Sequence, residues 1–286
     1  MAQSLLEVKK RISTVESIRK ITKAMKLIAS SRSTRLKNIY DTNYSYVLAL
    51  HDAMKLCLQY IDFSSRRVPT CLLKYPGNKK LYIFITSTLG LCGSYNYALE
   101  KLAKTLLTKN DDCIFIGDKG FKHFANSVDH AYSEHVNLLE ELTFEKTNLF
   151  RHYVDSLYKK EIYSEVNIIY TKYINSMVTK PVCERLLPLV ELDVMDTSEI
   201  KEPIFEGDSS KVTDLIVPHY LDALIYRYFL ESKLSEYTCR RNSMDSATSS
   251  ADNLIYTLKL DYNKIRQQKI TQEITEIVGG SNNSSY

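Results

Sequence analysis

The stretch LIYTLKLDYNKIRQQKITQEITEIV (residues 254–278), followed by the tail GGSNNSSY, decides the fold. Leu254, Leu258, Tyr262 and Ile265 recur at steps of three and four, and Ile270, Ile274 and Ile277 continue the pattern. Such spacing puts them on one narrow stripe of a helix. The remaining faces carry Lys259, Lys264, Arg266, Gln267, Gln268, Lys269, Gln272 and Glu273. Gly279 stands where a helix-ending, left-handed residue is expected. A helix this long with so thin an apolar stripe is not a buried core element. It reads as one strand of a coiled coil whose other sides meet something large.

The placement of helix breakers extends this reading to the whole chain. All six prolines, and every glycine except Gly279 and Gly280, fall between Pro69 and Pro218. Residues 1–68 and 219–278 contain neither, so each end is expected to run as a nearly unbroken helix, roughly 80–100 Å long at 1.5 Å per residue. The expected organisation is an N-terminal helix over 1–68, a central α/β domain over 69–209, a C-terminal helix over 210–278 and a flexible tail over 279–286.

At the N-terminus Ser4 and Glu7 have the S-x-x-E spacing of a capping box. Leu5, Val8, Ile12 and Val15 follow at helical steps, and the stripe is expected to continue through Ile18, Ile21, Met25 and Ile28 after an extra step of three, a stammer. Between Lys9 and Lys37 lie ten basic residues and one acid, Glu16. A solvated polar face, a nucleic-acid-binding helix and a surface docking on acidic loops of a protein partner all fit such a run. No nucleic-acid module accompanies it, and no nucleic-acid partner is expected.

The middle alternates short apolar runs with helical ones. LYIFIT (81–86), CIFIG (113–117) and EVNIIYTKYI (165–174) are expected strands, and VCERLLPLVEL (182–192) an edge strand broken at Pro188. Between them, GLCGSYN (90–96) turns into the helical ALEKLAKTLL, DKGFKHFAN makes a second turn and helix, and 147–160 make a third. Alternation of this kind implies an α/β layer with a partly parallel sheet.

Catalytic chemistry is not apparent. Gly90-Leu91-Cys92-Gly93 is neither a Walker loop nor a GxGxxG fingerprint. His130 and His135 lack flanking ligands at metal spacing. Cys92 has no assignable base and is expected to be a small buried thiol. No catalytic, cofactor or metal site is therefore expected. Composition agrees with a folded, non-spanning protein: 44% hydrophobic, 25% charged and a net charge of +4, with no run approaching the roughly 18 apolar residues of a membrane span. The N-terminus MAQSLLEVKKRIS lacks an apolar signal core, although an import sequence removed ahead of this numbering is compatible with it. Cys57, Cys71, Cys92, Cys113, Cys183 and Cys239 are scattered without a CxxC pair, which suits free thiols in a reducing compartment.

Several segments together resemble the gamma subunit, the central rotor shaft, of the rotary F-type ATP synthase. ITQEITEIVGGS (270–281) is similar to the family's C-terminal signature, with Ser281 in place of the usual alanine, and RKITKAMKLIASS (19–31) to its N-terminal helix motif. GLCGSYN, IGDKGFKHF, KYINSM and LLPL follow in the family's order, as do ESKLSE (231–236) and SMDSATSSADN (243–253). Thr88-Leu89 departs from the usual Asp-Arg.

The resemblance implies a long antiparallel coiled coil of N- and C-terminal helices plus a central Rossmann-like α/β domain. It implies a non-catalytic subunit whose partners are the alpha and beta subunits of the catalytic ring, an epsilon-type subunit and the c-subunit ring. Location would be peripheral, on the cytoplasmic face of a bacterial cell membrane, or on the matrix side of the inner membrane if organellar. Arg266, Gln267, Thr271 and Glu273 match family positions that contact the beta-subunit catch loops, and Met25, followed by Lys26, matches the N-helix position near them. Packing against a neighbouring helix is the role expected of the small-residue run Ser243 to Ala251. The acid-rich segment 193–208 is expected to be an exposed foot, with Ile204 and Phe205 docking on the membrane ring. Two alternatives are a related rotary ATPase whose foot engages a partner other than a proton ring, and an independent α/β enzyme with helical extensions.

Overall fold

The computed structural model describes residues 4–59, 69–189 and 209–283. They form two long terminal helices, α1 (Leu5–Gln59) and α5 (Ser209–Asn283). Between them come β1 (Lys79–Ile85), α2 (Tyr95–Leu106), β2 (Asp112–Ile116), α3 (Asp118–Phe124), β3 (His130–Tyr132), α4 (Phe144–Tyr158), β4 (Tyr163–Tyr173) and β5 (Thr179–Leu187). The chain folds as two units, Met1–Ser30 with Arg240–Tyr286, and Ser31–Cys239.

In the first unit α1 and α5 run antiparallel. Glu16 pairs with Lys259, Arg19 with Asp252, Thr22 with Thr248 and Lys26 with Asp245, so one number falls as the other rises. Ser4 and Glu7 close the capping box reciprocally at 3.3 Å each way. The apolar seam consists of Val8, Ile12 and Val15 against Ala251, Ile255, Leu258, Tyr262 and Ile265.

The seam departs from the expected stripe. Burial in α1 continues through Val8, Val15, Thr22 and Ala29 at a constant interval of seven, with no stammer, while Ile18, Ile21 and Ile28 stand exposed. On α5, Ile255 is buried and Leu254 exposed. The cause is the small-residue run. Across from Ser243 to Ala251 the helices meet through short side chains, and Thr248 Oγ1 donates to Thr22 Oγ1 at 2.9 Å. Threonine and alanine thus hold seam positions that an apolar pattern assigns to isoleucine. Nor does α5 stop at Gly279: it continues to Asn283. A glycine inside a helix costs only about 1 kcal/mol relative to alanine and need not end it.

The second unit is a three-layer α/β structure. Its sheet has the order β3-β2-β1-β4-β5, with β1 parallel to β2 and β4, β2 parallel to β3, and β5 antiparallel on the edge beside β4. Parallel strands covered on both faces are apolar throughout. Leu81, Ile83 and Ile85 of β1 join a core with Phe150 and Val154 of α4 and Ile225 and Phe229 of α5. Tyr82 and Phe84 face the other way, onto Tyr95, Leu99 and Ala103 of α2 and Phe124 of α3. The expected strands are all present, and β5 ends immediately before Pro188. β3 was not foreseen; three residues are too few to show a period of two.

Gly117 makes the tight turn between β2 and α3. Its φ is +97°, and a Cβ there would stand 2.2 Å from the Thr86 carbonyl oxygen. Both the backbone strain and the clash oppose any side chain. Gly117→Ala is expected to destabilise the chain by about 1–3 kcal/mol, measured by denaturant unfolding; a loss within error of zero would contradict this geometry.

Candidate functional site

The carboxyl ends of parallel strands are where α/β folds place ligands. Here the loop after β1 is closed upon itself. Ser87 N–H donates to Asn96 Oδ1 at 3.1 Å, Asn96 Nδ2 donates to Ser87 Oγ at 2.8 Å, and Ser87 Oγ donates to the Leu89 carbonyl at 2.7 Å. Cys92 is buried beneath them, 3.4 Å from Asn96 Nδ2. Thr86 Oγ1 accepts from Gly120 N–H at 2.9 Å, which occupies an amide at the start of α3. This loop folds by using its own polar groups on one another.

The histidines singled out by sequence lie in aromatic packing. The His130 ring meets Tyr132 at 4.5 Å, and His135 sits between Phe150 at 5.1 Å and Tyr153 at 4.7 Å. Burial lowers the His135 pKa below its ordinary value of 6.5, as expected where the charged form is poorly solvated. Among the described residues no group of three or more His, Cys, Asp or Glu side chains is placed to hold a metal ion.

The surface left open is on the helices of the first unit. From Arg266 to Val278 every residue of α5 is exposed, including Ile270, Ile274, Ile277 and Val278. Arg266, Gln267, Thr271 and Glu273 all lie in this run. The Gln267 carbonyl accepts from Thr271 Oγ1 at 2.9 Å, and Glu273 Oε1 is 3.8 Å from Lys269 Nζ. Those are local bonds between neighbouring turns, and they leave the outward polar atoms for solvent or a partner.

Along α1 the exposed residues Arg11, Thr14, Ile18, Ile21 and Ile28, with half-buried Met25, form a second stripe beside the seam. Exposed Lys20 and Lys23 border it. Sequence periodicity found these apolar residues and misassigned their face; the signal that distinguishes the stripes is the uninterrupted seven-residue interval of Val8, Val15, Thr22 and Ala29. Met25 therefore belongs to the open stripe. Lys26 does not: its ammonium lies 2.6 Å from Asp245 Oδ1 within the coil.

Met25 and Arg266 are not brought together. The level of Lys26 and Asp245 is separated from Arg266 by about 30 Å of helix at 1.5 Å per residue, so these residues form two separate surfaces. Ile204 and Phe205 lie outside the described residues, as does the rest of the foot segment 193–208.

A protein-family profile described as ATP synthase matches residues 4–283. The ATP synthase gamma chain of Clostridium pasteurianum is 35% identical over 287 residues, covering 98% of this chain and 99% of that one. That of Mycoplasma capricolum is 33% identical over 99% of both. The chain belongs to the ATP synthase gamma-chain family. Solved structures share the fold: a chain of the Euglena gracilis mitochondrial ATP synthase aligns with a TM-score of 0.61 at 16% identity, covering 97% of this chain and 93% of that one. A chain from the central stalk and c-ring of the Tetrahymena thermophila mitochondrial enzyme gives 0.56 at 19%, covering 79% and 99%. As a gamma-family chain it has, among its described residues, no helix long and apolar enough to cross a membrane.

Proposed function

We propose that the chain is the central rotor shaft of a rotary ATP synthase, a non-catalytic subunit held at the membrane surface through its complex. The observation that carries this reading is the run Arg266–Val278: helical, exposed at every residue, and bearing four large apolar side chains in water. Such a surface is suited to a surrounding partner; the ring of alternating alpha and beta subunits is the partner we infer, in keeping with a structural neighbour solved together with its F1 and c-ring. The α1 stripe of isoleucine and methionine bordered by lysine suits acidic, partly apolar loops of the same ring. Rotation of an asymmetric shaft gives each catalytic beta subunit a different neighbour in turn. The result is a coupling free energy between shaft angle and nucleotide affinity. The segment 193–208, with Ile204 and Phe205, meets the c-subunit ring and an epsilon-type subunit, and so couples rotation to proton transport.

The chain's own contribution is stiffness, shape and contact rather than bond making. Isolated protein is expected neither to bind nor to hydrolyse ATP, with activity appearing only after alpha and beta subunits are added. Titration calorimetry and a phosphate-release assay check both halves. Stoichiometric binding at micromolar affinity by the chain alone would overturn the reading.

A further inference from the structure

The segment ESKLSE (231–236) lies where α5 crosses the sheet of the second unit, and its contacts are unusual for a helix in a core. Strand β4 is longer than its neighbour β1. Their pairing ends at Phe84 with Ile169, whereas β4 goes on pairing with β5 as far as Tyr173 with Thr179. One edge of β4 beyond Ile169 therefore has no strand beside it, and its buried amide and carbonyl groups need partners.

Side chains of α5 supply them. Glu231 Oε1 accepts from Tyr173 N–H at 3.1 Å, and Ser235 Oγ donates to the Thr171 carbonyl at 3.0 Å. One helical turn earlier to later, four residues rise about 6 Å; two residues of strand rise about 6.8 Å. The spacings match closely enough for the helix to take the place of a strand. Beside them the Ser232 hydroxyl lies 2.7 Å from the Tyr95 hydroxyl of α2. All three helix residues are fully buried.

Stability alone is a poor reason for this arrangement. Glu231 is 0% exposed, and its second oxygen has no hydrogen-bond partner, the nearest cation being Arg227 Nε at 3.8 Å. Buried carboxylates held this way commonly stabilise less than an apolar residue of the same volume would. What the arrangement does provide is registry. Sliding α5 by one residue, about 1.5 Å, or turning it on its axis would break these bonds together and leave buried polar groups unpaired, whereas apolar contacts alone yield more gradually.

We propose that Glu231, Ser232 and Ser235 are positioning residues that lock α5 to the α/β sheet so that torque passes between shaft helix and domain without slip. The inference rests on the rotor reading above. It concerns neither the contacts with the catalytic ring nor those with the membrane.

The test uses the chain assembled with its alpha and beta subunits, immobilised through beta, with a bead on Met177→Cys. Met177 is exposed at the tip of the β4–β5 hairpin, so a bead there reports the sheet, not the helix. Rotation is recorded at low and high viscous drag, together with bulk ATP hydrolysis and the melting temperature. The Glu231→Leu/Ser235→Ala variant leaves the Tyr173 amide and the Thr171 carbonyl without these partners and is expected to melt at a lower temperature, while keeping its hydrolysis rate and rotating the bead normally at low drag. At high drag its rotation should fall at least threefold relative to the unmodified complex. Glu231→Gln keeps an oxygen for the Tyr173 amide and should restore loaded rotation. Should the double variant fail to assemble, Tyr95→Phe with Ser232→Ala removes the hydroxyl pair at little cost in volume and is read in the same way. Loaded rotation equal to the unmodified complex in either assembled variant would overturn the proposal while leaving the rotor reading intact. An unmodified complex that hydrolyses ATP without turning the bead would instead remove the rotor reading, and this inference with it.

Discussion

Arg151→Leu is expected to destabilise the α/β unit by about 3–5 kcal/mol, the range for removing one member of a buried charge network. Arg151 is the hub between α4 and α5. Its Nε lies 2.6 Å from Asp222 Oδ1 and its Nη1 2.6 Å from Asp155 Oδ2, while Asn148 Nδ2 donates to Asp222 Oδ2 at 2.8 Å. Its side chain is only 7% exposed and that of Asp222 only 3%. Burial already pushes the Asp155 pKa above its ordinary value, with Arg151 opposing the shift. Without the guanidinium, two carboxylates would stand close together in a poorly solvated site. The paired change Arg151→Leu/Asp222→Asn should lose less than the single one, because an uncompensated charge, rather than the lost attraction, dominates the cost. Urea unfolding of the three proteins decides it. A loss below about 1 kcal/mol for Arg151→Leu would mean that the network is solvated and weak.

Arg266→Ala/Gln267→Ala is expected to leave folding nearly untouched and to lower turnover of the assembled complex at least tenfold. Both residues are exposed on a helix face that packs on nothing among the described residues, and such substitutions change stability by at most about 0.5 kcal/mol. A hydrogen bond to a charged group contributes about 1.5–3 kcal/mol, and 1.36 kcal/mol is a tenfold change in rate. Steady-state hydrolysis by the reconstituted complex, beside a thermal melt of the free chain, separates the two effects. Wild-type turnover would make these residues ordinary solvated surface.

The architecture was legible because its main signals are coarse. The confinement of proline and glycine to the middle of the chain marks both long helices, and continuous apolar runs such as LYIFIT mark strands buried on both faces. Finer features failed where side-chain size outweighed hydrophobicity. Ile18, Ile21 and Ile28 looked like seam residues because they are apolar at helical spacing, yet Thr22 and Ala29 hold the seam because small residues let the helices approach. Gly279 looked like a terminus because glycine is common there, but the preference is weak beside the continuity of the helix. The pairing of Lys26 with Asp245, distant in sequence, has no local signature and was not foreseen. β4's overhang and its capping by Glu231 were invisible for the same reason: they depend on how far β1 extends beside it.

The central claim, that this chain is a rotor, is tested most directly by watching it turn. The complex of the chain with alpha and beta subunits, fixed to a surface through beta and carrying a bead at Met177→Cys, should rotate in one direction on addition of ATP, in discrete steps, and stop when ATP is removed. Sustained ATP hydrolysis by the same complexes with the bead stationary at low drag would contradict it.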